Sequence, residues 1–345
     1  MMMGNEMKKD MVKITDVARV AGVSPSTVSH VLNGKRPISK QTRERVLTVI
    51  EELGYLPNPN AQALKSKRSG IIGFIAHDIT ELFVTKIIRG VEKVVRENDS
   101  YLTFTSGVEF NFDIRKAISF LERRRLDGII ISYEITLKEP LVGVLDQAIP
   151  IVTINRLLTD SAYSVLPDNI DGGYCAAEHL LEACSRHPAM IAGPKDRFAS
   201  EERKIGFTNA LLDNGFKPDS ALIYHGDFNY PSGEQGIEWL FRQDTAIDGV
   251  FCANDYMAAG AIDGALKRGI SIPDRLNVVG FDDRDFSSFG PIPISTFRQP
   301  LERMGHLSAE ILFALINGKP PAQRKSYIKS TLIRRRSTGF GENPN

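Results

Sequence analysis

From Gly70 onward the chain alternates two patterns. Short uninterrupted apolar runs at Ile71–Ala76, Tyr101–Thr105, Gly128–Ser132, Ile151–Ile154, Ala189–Ala192, Gly249–Ala253 and Asn277–Phe281 are separated by amphipathic stretches. Runs of this length suit parallel strands buried on both faces. Leu82–Asn98, Ala176–Ala183, Glu201–Asn214 and Tyr256–Lys267 carry apolar residues at helical spacing and read as crossover helices. The alternation predicts βαβ units and an α/β body.

The N-terminal part is patterned as short helices. In Ile14–Asn33, Thr15 is placed to cap a first helix with Val17, Ala18 and Ala21 on one face, and Asp16 suits its positive start. Gly22 supplies a left-handed turn residue. Ser24 caps a second helix, which Pro25 opens at a position needing no amide hydrogen. Val28, Val31 and Leu32 face inward, leaving Ser26, Thr27, Ser29 and His30 outward. Beyond the Lys35-Arg36-Pro37 loop, Ser39 caps a third helix with Val46, Leu47, Ile50 and Leu53 as its apolar face, and Gly54 ends it. Three such helices can hold the second against a DNA major groove; a plain helical bundle is the alternative. Tyr55–Ser69 then reads as a linker with a short helix inside it.

This order of residues resembles the DNA-binding headpiece of the lactose-repressor/galactose-repressor (LacI/GalR) family of bacterial transcription regulators. The family's T-x-x-D-V-A-x-x-A-G-V-S-x-x-T-V-S-x-x-L-N pattern runs here through Leu32-Asn33, with only the spacing of Thr15 and Asp16 altered. The resemblance implies that Pro25, Ser26 and His30 read bases, Pro25 by apolar contact alone, while Thr15, Ser24, Thr27, Ser29 and Asn33 position phosphates. Ala61 and Leu64 match the family's hinge helix, so Leu64 would wedge into the minor groove with Lys65 beside a phosphate. A solvated tether is the plainer reading of that segment.

Charge agrees with this division. Residues 1–69 hold twelve Lys and Arg against six Asp and Glu, whereas the remainder holds 31 against 36. A basic headpiece on an acidic body favours phosphate contact at one end only. The polar, mixed-charge segment Met1–Lys13 reads as a tail rather than a signal peptide, and no run suggests a membrane span. Cys175, Cys184 and Cys252 have no metal spacing and read as reduced core thiols, which points to the cytoplasm.

The expected organisation is a tail (1–12), an all-α helix-turn-helix headpiece (13–57), a hinge (58–69) and a body (70–340). The resemblance gives the body a periplasmic-binding-protein-like form: two α/β subdomains with parallel sheets, joined by three crossing strands. The first would take 70–168 and 298–325, the second 169–297 and 326–340. Open parallel sheets bind ligands beyond the carboxyl ends of their strands. There the chain places His77-Asp78, Asn155-Arg156, Gly193-Pro194-Lys195-Asp196-Arg197, Asn254-Asp255 and Asp282-Asp283. The resemblance assigns Leu82, Phe83, Arg197, Arg203, Phe228, Asn254 and Asp282 to an effector pocket; Asp78 and Asn155 join them by position. Asp78 and Asp255 equally suit helix caps, Phe83 and Phe228 a core, and Asp283 a turn. The chain departs from the family at Cys184–Pro188, which replaces Gly-His-Arg, at Asn155, where Asp is common, and at Asp78–Glu81, which lacks Asn-Pro-Phe.

The expectation is a regulator, most simply a repressor, binding a pseudo-palindromic double-stranded operator as a homodimer under a small-molecule effector. A sugar or sugar derivative fits hydroxyl-reading Asp, Asn and Arg; a purine-type corepressor is the alternative. No cofactor, metal or membrane partner is expected. A sugar-binding transport protein would share the body but not the headpiece. An enzyme is disfavoured, because no G-x-G-x-x-G loop follows the first strand and no nucleophile–base spacing appears.

Overall fold

The computed structural model describes residues 12–33, 36–55, 68–76, 78–79, 82–110, 113–132, 149–155, 162–217 and 222–340, with backbone alone at 33 and 82. Ala61, Leu64 and Lys65 of the expected hinge lie outside the described residues, as do His77 and Arg156. Two compact units form, Met1–Ser69 and Gly70–Asn345.

In the first unit, α1 (Ile14–Ala21), α2 (Pro25–Asn33) and α3 (Lys40–Leu53) enclose a core of Val17, Ala18, Ala21, Val28, Val31, Val46, Val49 and Tyr55. Thr15 is not the cap of α1. Lys13 holds that position, and its amide donates to Asp16 Oδ2 at 2.9 Å, so Thr15 falls inside the first turn. Gly22 takes φ 66° at the turn. Ser24 Oγ accepts the Thr27 amide at 3.1 Å, and Ser39 Oγ accepts the Thr42 amide at 3.2 Å. Leu47, expected inward, is 45% exposed; Val49 replaces it, because 46, 49, 50 and 53 share one stripe and 47 lies off it.

The body contains two parallel sheets. The first comprises β1 (Ile71–Ala76), β2 (Tyr101–Ser106), β3 (Gly128–Ser132), β4 (Ile151–Ile154), β5 (Tyr163–Pro167) and β11 (Lys325–Ile328), in the order β11-β5-β4-β3-β1-β2. On one face, α4 (Leu82–Glu97) and α10 (Leu301–Ile316) bury Val84, Ile87, Val91, Met304 and Leu312. On the other, α5 (Ile114–Glu122) packs Ile114, Ile118 and Leu121 against Ile75, Ile129 and Ile131.

The second sheet is β7 (Ile223–His225), β6 (Pro188–Ala192), β8 (Gly249–Cys252) and β9 (Asn277–Val279), in that order. Helices α6 (Asn169–Glu182) and α7 (Phe198–Asp213) pack as one pair, α8 (Tyr230–Gln243) and α9 (Asp255–Lys267) as another. A short antiparallel ribbon of β10 (Thr296–Arg298) and β12 (Thr331–Ile333) lies where the chain passes between the subdomains.

The expected boundary at 325/326 shifts. β11 pairs in parallel with β5, Ser326 opposite Val165, so the first subdomain keeps the chain through Ile328. Helix α6 starts at Asn169 rather than Ala176, capped by Asp168 Oδ1 accepting the Asp171 amide at 3.0 Å. Of the expected core thiols, Cys252 is buried and Cys175 half-buried, but Cys184 is exposed.

Candidate ligand site and nucleic-acid interface

The carboxyl ends of the second sheet assemble one connected polar group. Arg203, on α7, is 5% exposed and fully engaged: its Nε donates to Asn169 Oδ1 at 3.0 Å and its Nη1 to the Ala253 carbonyl at 2.5 Å. Its guanidinium lies 3.7 Å from the centre of the Phe281 ring, and Nη2 stands 3.8 Å from Asp282 Oδ1. Glu202 holds Asn169 from behind, accepting its Nδ2 at 2.9 Å. Burying an arginine this deeply is tolerable because each charged face meets an acceptor or a π-face.

Asp282 follows β9 with φ 108°, a conformation costly for a residue with a Cβ. It is held there by its amide on the Phe297 carbonyl (2.9 Å) and by Gln299 Nε2 donating to its Oδ1 (2.7 Å). Asn254 caps α9, accepting the Met257 amide at 2.9 Å, while its Nδ2 donates to the Phe228 carbonyl at 2.8 Å. Phe228, at φ 68°, lays its ring over Gly193, where any Cβ would collide with it. The structure therefore brings Arg203, Asp282, Asn254 and Phe228 together.

The other expected residues are placed differently. Asn155 and Asp78 follow β4 and β1 of the first sheet, Asn155 with φ 65° and its amide on the Val165 carbonyl at 3.0 Å. Phe83, on α4, packs partly buried against the apolar cluster of the first sheet, the core role open to it from the start. Phe228 likewise packs against the cluster of the second. Arg197 is half-buried at the residue preceding α7. Leu82 opens α4, and nothing is described of its side chain.

Two buried amide oxygens, Asn155 Oδ1 and Gln299 Oε1, have no hydrogen-bond partner among the described residues. Asn169 and Gln299 were not anticipated. Both follow strands the apolar runs did not mark: β5, Tyr-Ser-Val-Leu-Pro, is broken by Ser164 and Pro167, and β10 is three residues long; the rule about carboxyl ends, applied to β5, finds Asn169.

Asp255, beside the site, is fully buried. Its Oδ2 accepts from the Arg284 amide (2.7 Å) and Ser287 Oγ (2.8 Å), and its Oδ1 from Thr296 Oγ1 (2.6 Å). Burial, reinforced by the charge of Asp282, pushes its carboxyl up to about 7 against the pull of those donors.

In the headpiece unit, the start of α2 is a compact hydroxyl cluster. Ser24 Oγ lies 2.7 Å from Ser26 Oγ and 2.9 Å from Thr27 Oγ1. Ser24, Pro25 and Ser26 are exposed, with Thr27, Ser29 and His30 half-exposed; the side chain of Asn33 is not described. Arg36, Lys40, Arg43 and Arg45 are exposed nearby in sequence. A helix start with exposed hydroxyls and its positive dipole end suits a phosphate, and His30 lies one turn further along the same helix.

Comparison with known proteins gives this arrangement its context. Residues 13–58 match the model of bacterial regulatory proteins of the lacI family, and residues 177–338 match a periplasmic-binding-protein-like domain. The chain is 32% identical over 333 residues to the ribose operon repressor of Halalkalibacterium halodurans, covering 96% of this chain and 99% of that one. The chain belongs to the lacI family of bacterial regulatory proteins. A second relative, the regulator GalS of Salmonella typhimurium, is 30% identical over 96% of this chain and 98% of its own. Among solved structures, the lac repressor dimer bound to operator and the anti-inducer ONPF superposes with a TM-score of 0.81 at 27% identity over 95% of this chain and 99% of that chain. The CelR–cellobiose complex superposes with a TM-score of 0.70 at 31% identity, over 94% and 99%.

As a lacI-family protein, the chain is a DNA-binding transcriptional regulator, with an all-α headpiece and a periplasmic-binding-protein-like body whose conformation responds to a bound effector. It is not an enzyme. No helix among the described residues is long and apolar enough to cross a membrane.

Proposed function

We propose that this lacI-family regulator is a repressor that binds a pseudo-palindromic operator as a homodimer and is controlled by a neutral polyhydroxylated effector, a sugar or sugar derivative. One observation carries the choice of ligand. Arg203 is paired with Asp282 and spends its other donors on Asn169 and the Ala253 carbonyl, so its charge is already committed within the protein, and Arg284 beside it shares the same aspartate. Among the buried polar atoms without a hydrogen-bond partner, the amide oxygens of Asn155 and Gln299 accept from hydroxyls, and Arg284 Nε, 4.0 Å from Asp282 Oδ2, can donate to one. Phe228 offers an apolar face to a sugar ring. Two of the relatives named above carry a sugar in their printed names, ribose and cellobiose.

A homodimer follows from the reading problem. One headpiece contacts only a few base pairs, so paired half-sites are needed for useful specificity. The edge strand β2 leaves Tyr101 73% and Phe104 53% exposed, the kind of apolar edge that a second copy would cover. In the headpiece, Pro25, Ser26 and His30 would read bases, while Thr15, Ser24, Thr27, Ser29 and Asn33 would fix the backbone. Ala61, Leu64 and Lys65 would serve as the minor-groove hinge.

The test is a thermal-shift screen of neutral sugars, sugar phosphates and purines on the full chain, followed by operator titration with the compounds that bind. Stabilisation by neutral sugars with a change in operator affinity is expected. Binding confined to purines or to phosphorylated ligands would overturn the ligand class.

A further inference from the structure

Next to Asp282 stands a second aspartate whose partners lie on the opposite flank. Asp283, at φ 52°, is slightly more buried than its neighbour, its side chain 10% exposed against 12%. One carboxylate oxygen accepts from Arg298 Nε at 2.6 Å and the other from Arg335 Nη2 at 2.6 Å. Arg298 ends β10, and Arg335 comes two residues after β12. These strands run antiparallel where the chain passes between the subdomains, Arg298 opposite Thr331. A single carboxylate thus ties both segments to the loop after β9.

That loop is zipped along β10 as well. The amide of Asp282 donates to the Phe297 carbonyl, and the amide of Asp283 to Thr296 Oγ1 at 3.3 Å. Arg335 is anchored further by Nη1 on the Ile294 carbonyl at 2.9 Å. Burial alone would raise the Asp283 carboxyl, but the hydrogen bonds and charges of Arg298 and Arg335 outweigh it and leave it below the usual carboxylate range. The clamp is therefore a charge-assisted one, of the short and strong kind.

We propose that Asp283 is the positioning residue that couples the Asp282 pocket to the crossing strands, so that occupancy of the pocket resets the angle between the subdomains through the Arg298–Asp283–Arg335 clamp. This rests on the reading that Asp282 lines the effector site. Two consecutive residues in strained backbone cannot move independently. A ligand that pulls on Asp282 changes the aim of Asp283, and the carboxylate must then shift or release two segments at once. Coupling needs such an element with alternative arrangements that the ligand and the operator both bias.

The experiment has two arms, both on the full chain and on a duplex selected from random DNA by the unmodified protein. In the first, cellobiose, D-ribose and D-galactose are titrated calorimetrically into the unmodified protein and Asp283→Asn, and operator affinity is measured with and without each sugar. Unchanged sugar affinity with loss of the operator response is the expected result. A retained response overturns the proposal. If none of these sugars binds the unmodified protein, the sugar reading fails for them and the second arm decides the coupling by itself.

The second arm is a cycle of Arg203→Lys with Asp283→Asn, read as operator affinity without ligand; Arg203 pairs with Asp282 rather than with a clamp residue in the contacts described above. Arg203→Lys is expected to shift operator affinity roughly five-fold or more in the unmodified background, and to do little once Asp283 is replaced. Additive effects, or no effect of Arg203→Lys, overturn the proposal. Arg298→Gln, which cuts the clamp at its exposed partner, replaces Asp283→Asn should the latter fail to fold, and Asp283→Glu should restore the response.

Discussion

Arg203 and Asp282 face each other at 3.8 Å from different elements, α7 and the loop after β9, with side chains only 6% and 12% exposed. Neither is satisfied by the other alone: the arginine leans on Phe281, Asn169 and the Ala253 carbonyl, and the aspartate on Gln299. Removing the arginine leaves Asp282 with Arg284, 4.0 Å away, as its counter-charge and strips Asn169 and the Ala253 carbonyl of their donor. Arg203→Ala should therefore cost about 3 kcal/mol of body stability in chemical denaturation, and abolish effector-dependent change in operator affinity.

The packing of α4 on α10 depends on direct backbone contact. A Cβ at Gly90 would stand 1.9 Å from the Glu302 carbonyl oxygen, and one at Gly305 would stand 2.0 Å from that of Ile87. Gly90→Ala should force the helices apart and destabilise the body by about 1–3 kcal/mol, measured in urea. Effector affinity in the folded fraction should be unchanged, because Gly90 is far in sequence and packing from Arg203 and Asp282.

Asp255 gives a pH signature with a definite sign. Its folded-state value of about 7 lies above the ordinary 3.8, so the folded chain binds a proton between those values that the unfolded chain does not. Its contribution is fully present below pH 4 and is lost as pH rises through about 7. The slope is at most about 1.4 kcal/mol per pH unit for one proton. The stability difference between the unmodified protein and Asp255→Asn should thus shrink from pH 5 to pH 8, followed by denaturation at each pH. A difference that grows over that range would refute it.

In the headpiece, the reading set is sparse. On the proposed reading Pro25 has no polar group to offer, so Ser26 and His30 would make the directed contacts with bases. His30→Ala should weaken the preferred operator by about 1 kcal/mol and flatten discrimination at one base pair per half-site. Lys40→Ala should weaken all sequences alike and lower the salt dependence. Anisotropy titrations over a panel of operator variants at two salt concentrations separate the two behaviours.

How legible each element was in the sequence follows from where its stability comes from. β1, β3 and β4 coincide with the expected apolar runs, since strands buried on both faces must be apolar throughout. β7, β10 and β12 are three residues long and are defined by what they pair with, which no local pattern encodes. Helix α8 escaped notice because Pro231, Gly233 and Gly236 look like breakers. Gly233 is in fact a contact point, where a Cβ would meet the Met257 carbonyl at 2.0 Å.

The site divides in the same way. Arg203, Asn254 and Asp282 are legible as candidates because they sit directly on recognisable motifs or strand ends. The residues that hold them, Asn169 and Gln299, come from elements whose presence depends on the folded sheet. Thr15 shows the converse error: a residue of the right type for a cap, displaced because α1 begins one residue earlier.

The position of β11 bears on the order in which the protein can be made. The first subdomain lacks its edge strand until residues 325–328 emerge, and the buried hydroxyls of Ser337 and Thr338, which engage Val278, Ser295 and His179 in the second subdomain, come later still. The headpiece core, by contrast, closes with residues that are all within its first unit. During synthesis the part that reads DNA is complete long before the part that senses, so a truncated chain is a regulator without its control.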